Sequence, residues 1–248
     1  MRSKIVVGID ATRALSGGGV NHLRNILYHV DITNSGIREV HLWVTPSISE
    51  HIVERDWLVK HSPNKYFKGI FLQLLWQFAI LPMQLRKAGC DIVLNVDAGS
   101  FNPFKPSVTM SRDMLPFDPM EMKRYRYGIK WFRLIVLKYI SIKALRRANC
   151  SVFLTNYAYD VIKNSTGNLK NAVIIPHGVS SAFSQLGVFR KPWTLVEEKK
   201  IKIVYVSHWT EYKNHSSVLR AIDILISRGF NLELTLVGKC DFKKLEVV

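Results

Sequence analysis

The most constraining feature of this chain is a recurring switch between short β-branched runs and longer segments of helical period. Ile5–Asp10 is expected as a strand, Val20–Val30 as a helix and Val40–Thr45 as a strand. Phe67–Lys87 reads as a helix, and Asp91–Leu94 and Ser107–Met110 read as strands. A long helix is expected within Met122–Ala148. It is followed by strand Cys150–Thr155, helix Tyr157–Asn164 and strand Ala172–Ile175. The strand runs are apolar throughout instead of alternating, which marks strands buried on both faces. Buried strands separated by helices imply an α/β fold, a parallel doubly wound sheet of Rossmann-like type.

The texture changes after Pro176-His177-Gly178. Residues 181–200 are polar, with Pro192 and the charge cluster Glu197-Glu198-Lys199-Lys200, and suit an inter-domain linker. A second strand–helix–strand set is expected at Lys202–Val206, Ser216–Arg228 and Leu232–Val237. The expected organisation is therefore a first domain over 1–180, a linker over 181–200, and the opening of a second Rossmann-like domain over 201–248. One β-α-β unit of about 50 residues makes a poor core alone, so the second domain is expected to be begun and unfinished.

Hydrophobic residues make up 48% of the chain, which excludes disorder. Charge is more informative: 35 Lys and Arg face 19 Asp and Glu, a formal balance of +16. Such an excess calls for an anionic partner, whether nucleic acid, a phosphate-bearing small molecule or an anionic membrane face. The three cysteines, Cys90, Cys150 and Cys240, are far apart and lie in or beside apolar runs. They imply neither a disulfide framework nor a metal site and read as reduced, mostly buried thiols in a cytosolic protein. The apolar start Ile5-Val6-Val7-Gly8-Ile9 is too short for a secretory leader. The most apolar segment, Ile70–Met83, is interrupted by Gln73 and Gln77 and falls short of the roughly 20 residues of a membrane span.

The loop Ser16-Gly17-Gly18-Gly19-Val20 follows the first strand and opens the first helix. Glycines let a ligand approach the backbone, and the helix start offers free N–H groups and a positive dipole end to a phosphate or carboxylate. A plain flexible turn is the competing reading. The loop is neither the G-x-G-x-x-G dinucleotide fingerprint nor a Walker loop, which argues against a nicotinamide-dependent oxidoreductase.

Several ordered segments resemble glycosyltransferase family 4, whose members have the GT-B fold of two Rossmann-like domains facing a cleft. They begin with Gly8-Ile9-Asp10, Arg13, Gly17-Gly18-Gly19-Val20, Leu23 and Leu27. Next come Leu75-Trp76-Gln77-Phe78, Leu81-Pro82 and Leu85 through Val93, then Ser107 through Pro116. Val173-Ile174-Ile175-Pro176-His177-Gly178-Val179 is similar to the family's hinge strand. Ile203 through His208, Lys213-Asn214, Ala221 and Leu234 through Gly238 are similar to the start of its nucleotide-binding domain. The resemblance implies transfer of a hexose from a nucleotide diphosphate sugar to a cell-surface polysaccharide or lipid-linked acceptor, with retention and without an essential metal or other cofactor. It points to Lys213, Asp113 and Arg112 as catalytic, to Gly17, Gly18, Gly19, His208, Lys213 and Asn214 at the donor phosphates, and to His177 and Gly178 at the hinge. A lysine near the leaving diphosphate would stabilise its growing negative charge; a solvated loop lysine is the alternative.

Three departures stand out. His208 replaces a usual Arg and carries no fixed charge when neutral. Arg112 stands where the family often has a His before Asp113; a guanidinium cannot act as a base but can hold an acceptor phosphate or carboxylate. The family's paired glutamates of the second domain have no counterpart before Val248. These departures keep open an alternative, a weakly active or inactive relative that binds an acceptor, a membrane or a partner subunit.

From Met122 to Tyr159 there is no acidic residue, while Lys123, Arg124, Arg126, Lys130, Arg133, Lys138, Lys143, Arg146 and Arg147 interleave with Trp131, Phe132, Leu134, Ile135, Leu137, Ile140 and Ile142. The spacing predicts a helix with one buried stripe and a cationic rim. Such a helix fits either a solvated basic face or an anionic lipid surface met by Lys123, Arg124, Arg126, Lys130 and Arg133. With no zinc-finger spacing or ribonucleoprotein motif, nucleic acid is not expected as a partner. The expected location is cytoplasmic, peripheral on the inner membrane face, with the oligomeric state open.

Overall fold

The computed structural model describes residues 4–14, 17–63, 69–125, 128–179 and 200–239, the Ile70 side chain aside. They fall into two compact units, Met1–Gly178 and Val179–Val248. In the first unit β1 (Ile5–Asp10), α1 (Gly18–His29), β2 (Ile37–Trp43), α2 (Pro46–Ser49) and β3 (Leu58–His61) run in order. Next come α3 (Ile70–Ala79), α4 (Leu81–Lys87), β4 (Ile92–Asn95) and β5 (Ser107–Ser111). A 3-10 turn at Leu115–Phe117 leads to α5 (Pro119–Arg124), α6 (Ile129–Arg147), β6 (Cys150–Phe153), α7 (Asn156–Thr166) and β7 (Ala172–Ile174). The second unit holds β8 (Ile201–Val206), a 3-10 turn at Glu211–Lys213, α8 (His215–Ser227) and β9 (Leu232–Val237). The linker expected at 181–200 and Cys240 lie outside the described residues, except for Lys200.

All seven strands of the first unit pair in parallel, in the order β3-β2-β1-β4-β5-β6-β7. The order reverses between β1 and β4, and in a doubly wound sheet ligands settle beyond the carboxyl ends of the strands at that reversal. Here those ends are Asp10 and Asn95, paired in register. β1 divides its side chains between the two layers. Val7 and Ile9 pack with Leu23 and Leu27 of α1, with Leu42 and Val44, and with Ile48. Val6 packs with Trp76, Leu81 and Leu85 of the α3–α4 layer, and a methyl at Gly8 would run into Leu85. A third cluster, Phe117, Leu145, Phe153 and Ile162, seats α6 and α7. Each fully buried large apolar side chain contributes about 1.5–3 kcal/mol, so these layers fix the strand ends rigidly.

Two long helices expected from the sequence are each broken. The Phe67–Lys87 reading becomes α3 and α4, because Pro82 lies in the first turn of α4 and has no N–H to give to the preceding turn. Residues 67 and 68 lie outside the described residues. The Met122–Ala148 reading becomes α5 and α6. Asp118 caps α5, its carboxylate accepting from Met120 N at 2.8 Å and Glu121 N at 3.2 Å. α6 restarts after Gly128. Strand β3 went unrecognised in the sequence; it is only four residues long and includes Lys60 and His61. The expected buried stripe of α6 is narrow, limited to Leu134, Ser141 and Leu145. On the exposed side Ile129, Phe132, Val136 and Tyr139 recur one turn or two apart. Among the described residues no helix is long and apolar enough to cross a membrane.

Candidate functional site

Asp10 organises the carboxyl end of β1. It is only 3% exposed, and its carboxylate is saturated. Oδ1 accepts from Thr12 N at 3.2 Å and Thr12 Oγ1 at 2.7 Å. Oδ2 accepts from Gln77 Nε2 at 2.9 Å and Ser100 Oγ at 2.6 Å. Burial raises the Asp10 carboxyl above its ordinary value, while the hydrogen bonds from Ser100 and Thr12 pull the other way. Gln77 also accepts from Phe101 N at 3.2 Å, and Gln73 donates to the Thr12 carbonyl at 2.8 Å. With every lone pair engaged, Asp10 ties the β1 loop, α3 and the loop after β4 together. It is a positioning residue.

Above this knot lies a positively charged cluster. α1 starts at Gly18 with Gly17 as its cap; no side chain caps it and its first turn has no acid. Among the described residues no side chain caps its leading N–H groups, and their positive dipole end favours an anion. Arg112, from the end of β5, lies directly on this turn: a methyl added at Gly19 would sit 2.6 Å from its Nη1. Arg13 approaches from the β1 loop against Gly99, where an added methyl would be 2.9 Å from its Nε. Asp97 stands between the two, 3.7 Å from Arg13 Nε and 3.6 Å from Arg112 Nη2, while its Oδ1 accepts from Gly99 N at 2.6 Å. One turn along α1, His22 meets His177 edge-on with ring centres 4.4 Å apart. Burial, then the nearby His177 and Arg112, hold His22 below the usual imidazole range, so it is neutral at neutral pH.

Of the residues singled out in the sequence, Gly17, Gly18, Gly19, Arg112 and His177 thus gather around one helix start. Asp113 follows Arg112, and its Oδ1 accepts from Leu115 N at 2.9 Å. Surrounding protein and, secondarily, the Asp97 charge raise its carboxyl, but the residue is exposed and water screens the effect. Gly178 closes the first unit. Arg13 and Gln77 fall within the matched segments without an assigned role, and Asp97, Ser100 and His22 carry no signal of their own in the sequence. Gln77 had a legible signal, an amide inside the most apolar helix of the chain.

In the second unit, Lys213 ends the 3-10 turn between β8 and α8 and is exposed, its ammonium 4.9 Å from the Tyr212 ring. Its carbonyl accepts from Tyr205 Oη at 2.7 Å. Asn214 takes the left-handed conformation (φ 52°) that turns the chain into α8. His215 beneath it is buried and stacks on Trp209 at 4.5 Å. His208 Nδ1 accepts from Lys239 N at 3.2 Å, which fixes the ring beside the end of β9. A methyl at Gly238 would collide with the Ser207 carbonyl, so β8 and β9 close up there only with glycine. The loop therefore presents Lys213 on a rigid base. Lys123 and Arg124 lie on α5, Lys130 and Arg133 on α6, and all four are exposed; Arg124 pairs with Glu121 at 2.8 Å. Arg126 lies outside the described residues. No group of three or more His, Cys, Asp or Glu among the described residues is arranged to hold a metal.

The sheet and its reversal define an α/β Rossmann-like fold. It is the fold of solved GT-B glycosyltransferases. Anabaena HepE in complex with UDP and glucose aligns at TM-score 0.59 and 13% identity, covering 98% of this chain and 63% of that one. The lipopolysaccharide outer core galactosyltransferase WaaB aligns at TM-score 0.53 and 10% identity, over 94% and 68%. The sucrose-phosphate synthase of Thermosynechococcus elongatus aligns at TM-score 0.51 and 12% identity, over 97% and 72%. The chain thus spans under two thirds of the length of HepE. At these identities the likeness is one of fold. No family model matches the chain, and no curated protein matches it by sequence.

Proposed function

We propose that this chain serves a retaining glycosyltransferase of family 4 type, which moves a hexose from a nucleotide diphosphate sugar to a glycan or lipid-linked acceptor. The observation that carries the reading is the open amino end of α1, with Gly17–Gly19, at the strand-order reversal of a GT-B-like sheet. Its free N–H groups suit an anionic oxygen. On the second unit Lys213 is the residue assigned to the leaving diphosphate. When the bond from the anomeric carbon to the diphosphate breaks, negative charge collects on that oxygen, and a fixed ammonium lowers the barrier without a resident metal. His208 Nδ1 accepts from Lys239 N, which leaves its other ring nitrogen to act as a donor. Arg112, always protonated, binds instead of abstracting a proton, and Asp113 beside it carries the only carboxylate of the sequence-derived catalytic set.

The neighbours named for UDP with glucose and for lipopolysaccharide galactosyl transfer support this class of donor and acceptor. The exposed stripe Ile129, Phe132, Val136 and Tyr139, flanked by Lys130 and Arg133, supports a resting place on an anionic membrane surface. The test is calorimetric titration of the full chain with UDP, GDP and their sugars. Saturable binding to one nucleotide, lost in Lys213→Ala with the fold intact by circular dichroism, is expected. A folded chain that binds none, or a Lys213→Ala variant of unchanged affinity, overturns the donor assignment. For the membrane, Lys123, Lys130 and Arg133 are reversed to Glu together. Equal sedimentation of variant and parent with phosphatidylglycerol vesicles removes that part.

A further inference from the structure

Donor phosphates account for an open helix end, but not for two arginines packed beside it. A helix start carries about half a positive charge, so a cation there is disfavoured unless an anion accompanies it. Here Arg112 rests on Gly19 and Arg13 on Gly99, and both side chains are only 13% exposed. Asp97 is the one carboxylate between them. Its contacts to the two, at 3.7 and 3.6 Å, are ion pairs longer than hydrogen bonds, and its best acceptor site is taken by Gly99 N. Asp113, exposed and bonded to Leu115 N, is near Arg112 as well. Three guanidinium nitrogens, Arg13 Nε and Nη1 and Arg112 Nε, are nevertheless buried with no hydrogen-bond partner among the described residues. Buried donors left unmade are costly and rare, and costlier when charged. Neutral His22 also buries Nε2 without a partner and supplies no negative charge. Asp10, the other carboxylate felt by Arg13, already accepts from Thr12, Gln77 and Ser100, so the cluster is short of acceptors that an anion with several oxygens would supply.

We infer that the Arg13–Arg112 pair receives an acidic group carried by a sugar substrate, a carboxylate or a phosphate on the ring being accepted or transferred. The planar guanidinium fork matches both groups with two parallel hydrogen bonds. Arg13, on the loop after β1, packs against Gly99 of the loop after β4, so the pair reaches beyond the α1 turn on which a donor diphosphate would rest. The assignment of this acid to a sugar substrate rests on the glycosyl-transfer reading; the anion site itself does not.

The experiment titrates the full chain with glucuronate, glucose 6-phosphate, glucose and UDP, in the parent and in Arg112→Gln and Arg13→Gln. One acidic sugar is expected to bind at least about tenfold more tightly than glucose, and each Gln variant to lose most of that preference, with UDP affinity held in Arg13→Gln. Preference for glucuronate marks a carboxylate substrate, and preference for glucose 6-phosphate a phosphorylated one. Arg112→Lys keeps the charge without the fork and is expected to recover only part of the affinity, which a bare charge effect would recover in full. Because each arginine holds buried charged donors without hydrogen bonds, both Gln variants are expected to melt no lower than the parent, and circular dichroism checks this. If neither acidic sugar outcompetes glucose, or if UDP affinity falls in step with that of the acidic sugar in Arg13→Gln, the inference is overturned. In the second case the arginines serve the donor diphosphate and the transferase reading stands. Arginine-dependent acidic-sugar binding without any UDP binding keeps the site and sinks the transferase reading.

Discussion

Replacing Asp10 by alanine measures how much of the site's rigidity rests on one buried carboxylate. The change removes acceptors for Thr12 N, Thr12 Oγ1, Gln77 Nε2 and Ser100 Oγ at once. The two hydroxyls can rotate toward other acceptors, and Gln77 keeps its bond to Thr12 Oγ1 at 3.1 Å. Thr12 N has no second acceptor among these groups, and Gln77, fully buried, is left half satisfied. Two poorly satisfied buried donors at about 1–3 kcal/mol each, plus a small void, give a loss of about 3–5 kcal/mol. Asparagine should cost less, about 1–2 kcal/mol. It keeps the oxygen facing Thr12 and sheds a charge that burial disfavours, but it turns an N–H toward Gln77 Nε2. Rotating the Gln77 amide to repair this would withdraw its oxygen from Phe101 N. The assay is urea unfolding followed by far-ultraviolet circular dichroism, comparing midpoints at unchanged slope. Asp10→Ala and Gln77→Ala should also be coupled by at least about 1 kcal/mol in a double-mutant cycle. An Asp10→Ala cost below about 1 kcal/mol, or strict additivity with Gln77→Ala, would refute the account of Asp10 as the knot of this loop cluster.

Gly8→Ala should destabilise the protein by about 1–3 kcal/mol, because its methyl meets Leu85, with Cys90 Sγ at 3.2 Å and Trp43 at 3.5 Å. Trimming Leu85 to Ala in the same chain should recover part of the loss, and a purely additive double variant would contradict the packing argument. Burial holds both His22 and His61 below the ordinary imidazole value, with His177 and Arg112 adding to it at His22 and His41 at His61. The unfolded chain then binds these protons more readily. Stability is therefore complete above the unfolded value of about 6.5 and declines as pH falls through it toward the folded values. Thermal melts from pH 7.5 to 5 should show this decline, and His22→Gln should flatten it; an unchanged slope would remove His22 from the account. The Cys90 thiol is pushed up to about 12, by burial first and then by Asp91 and Glu39. It should stay unmodified by an aromatic disulfide reagent at pH 8 until the chain unfolds, as peptide mapping would show.

The fold was legible where burial leaves a mark on residue type. Val6, Ile9, Val93, Val152 and Phe153 are apolar because both faces of their strands are covered, and that pattern alone implied a parallel sheet. Helix ends were less legible, since Pro82 and Gly128 interrupt patterns whose apolar period continues past them. The same continuity hid the exposed stripe of α6: Phe132 and Leu134 are equally apolar, yet one faces solvent and the other the core. Composition reports that a helix can be buried, whereas only packing decides which side is.

The site divides along a similar line. A triple glycine before a helix signals a ligand approach through backbone alone, so Gly17–Gly19 could be read directly. A charge cluster has no such local signature. Arg13, Asp97 and Arg112 are spread over about a hundred residues, and the parallel order β1-β4-β5 is what delivers their loops to one edge. In the sequence each is an ordinary surface charge whose partner is anywhere. In the fold, Asp97 bridges two guanidiniums beside an uncapped helix, and the shortage of acceptors becomes visible as nitrogens without hydrogen-bond partners among the described residues. An excess of 16 positive charges over the whole chain says only that anions are welcome. It is the buried nitrogens of Arg13 and Arg112 left without hydrogen bonds that say where one belongs, because charged donors unmade in the interior carry a cost that a ligand's oxygens would offset.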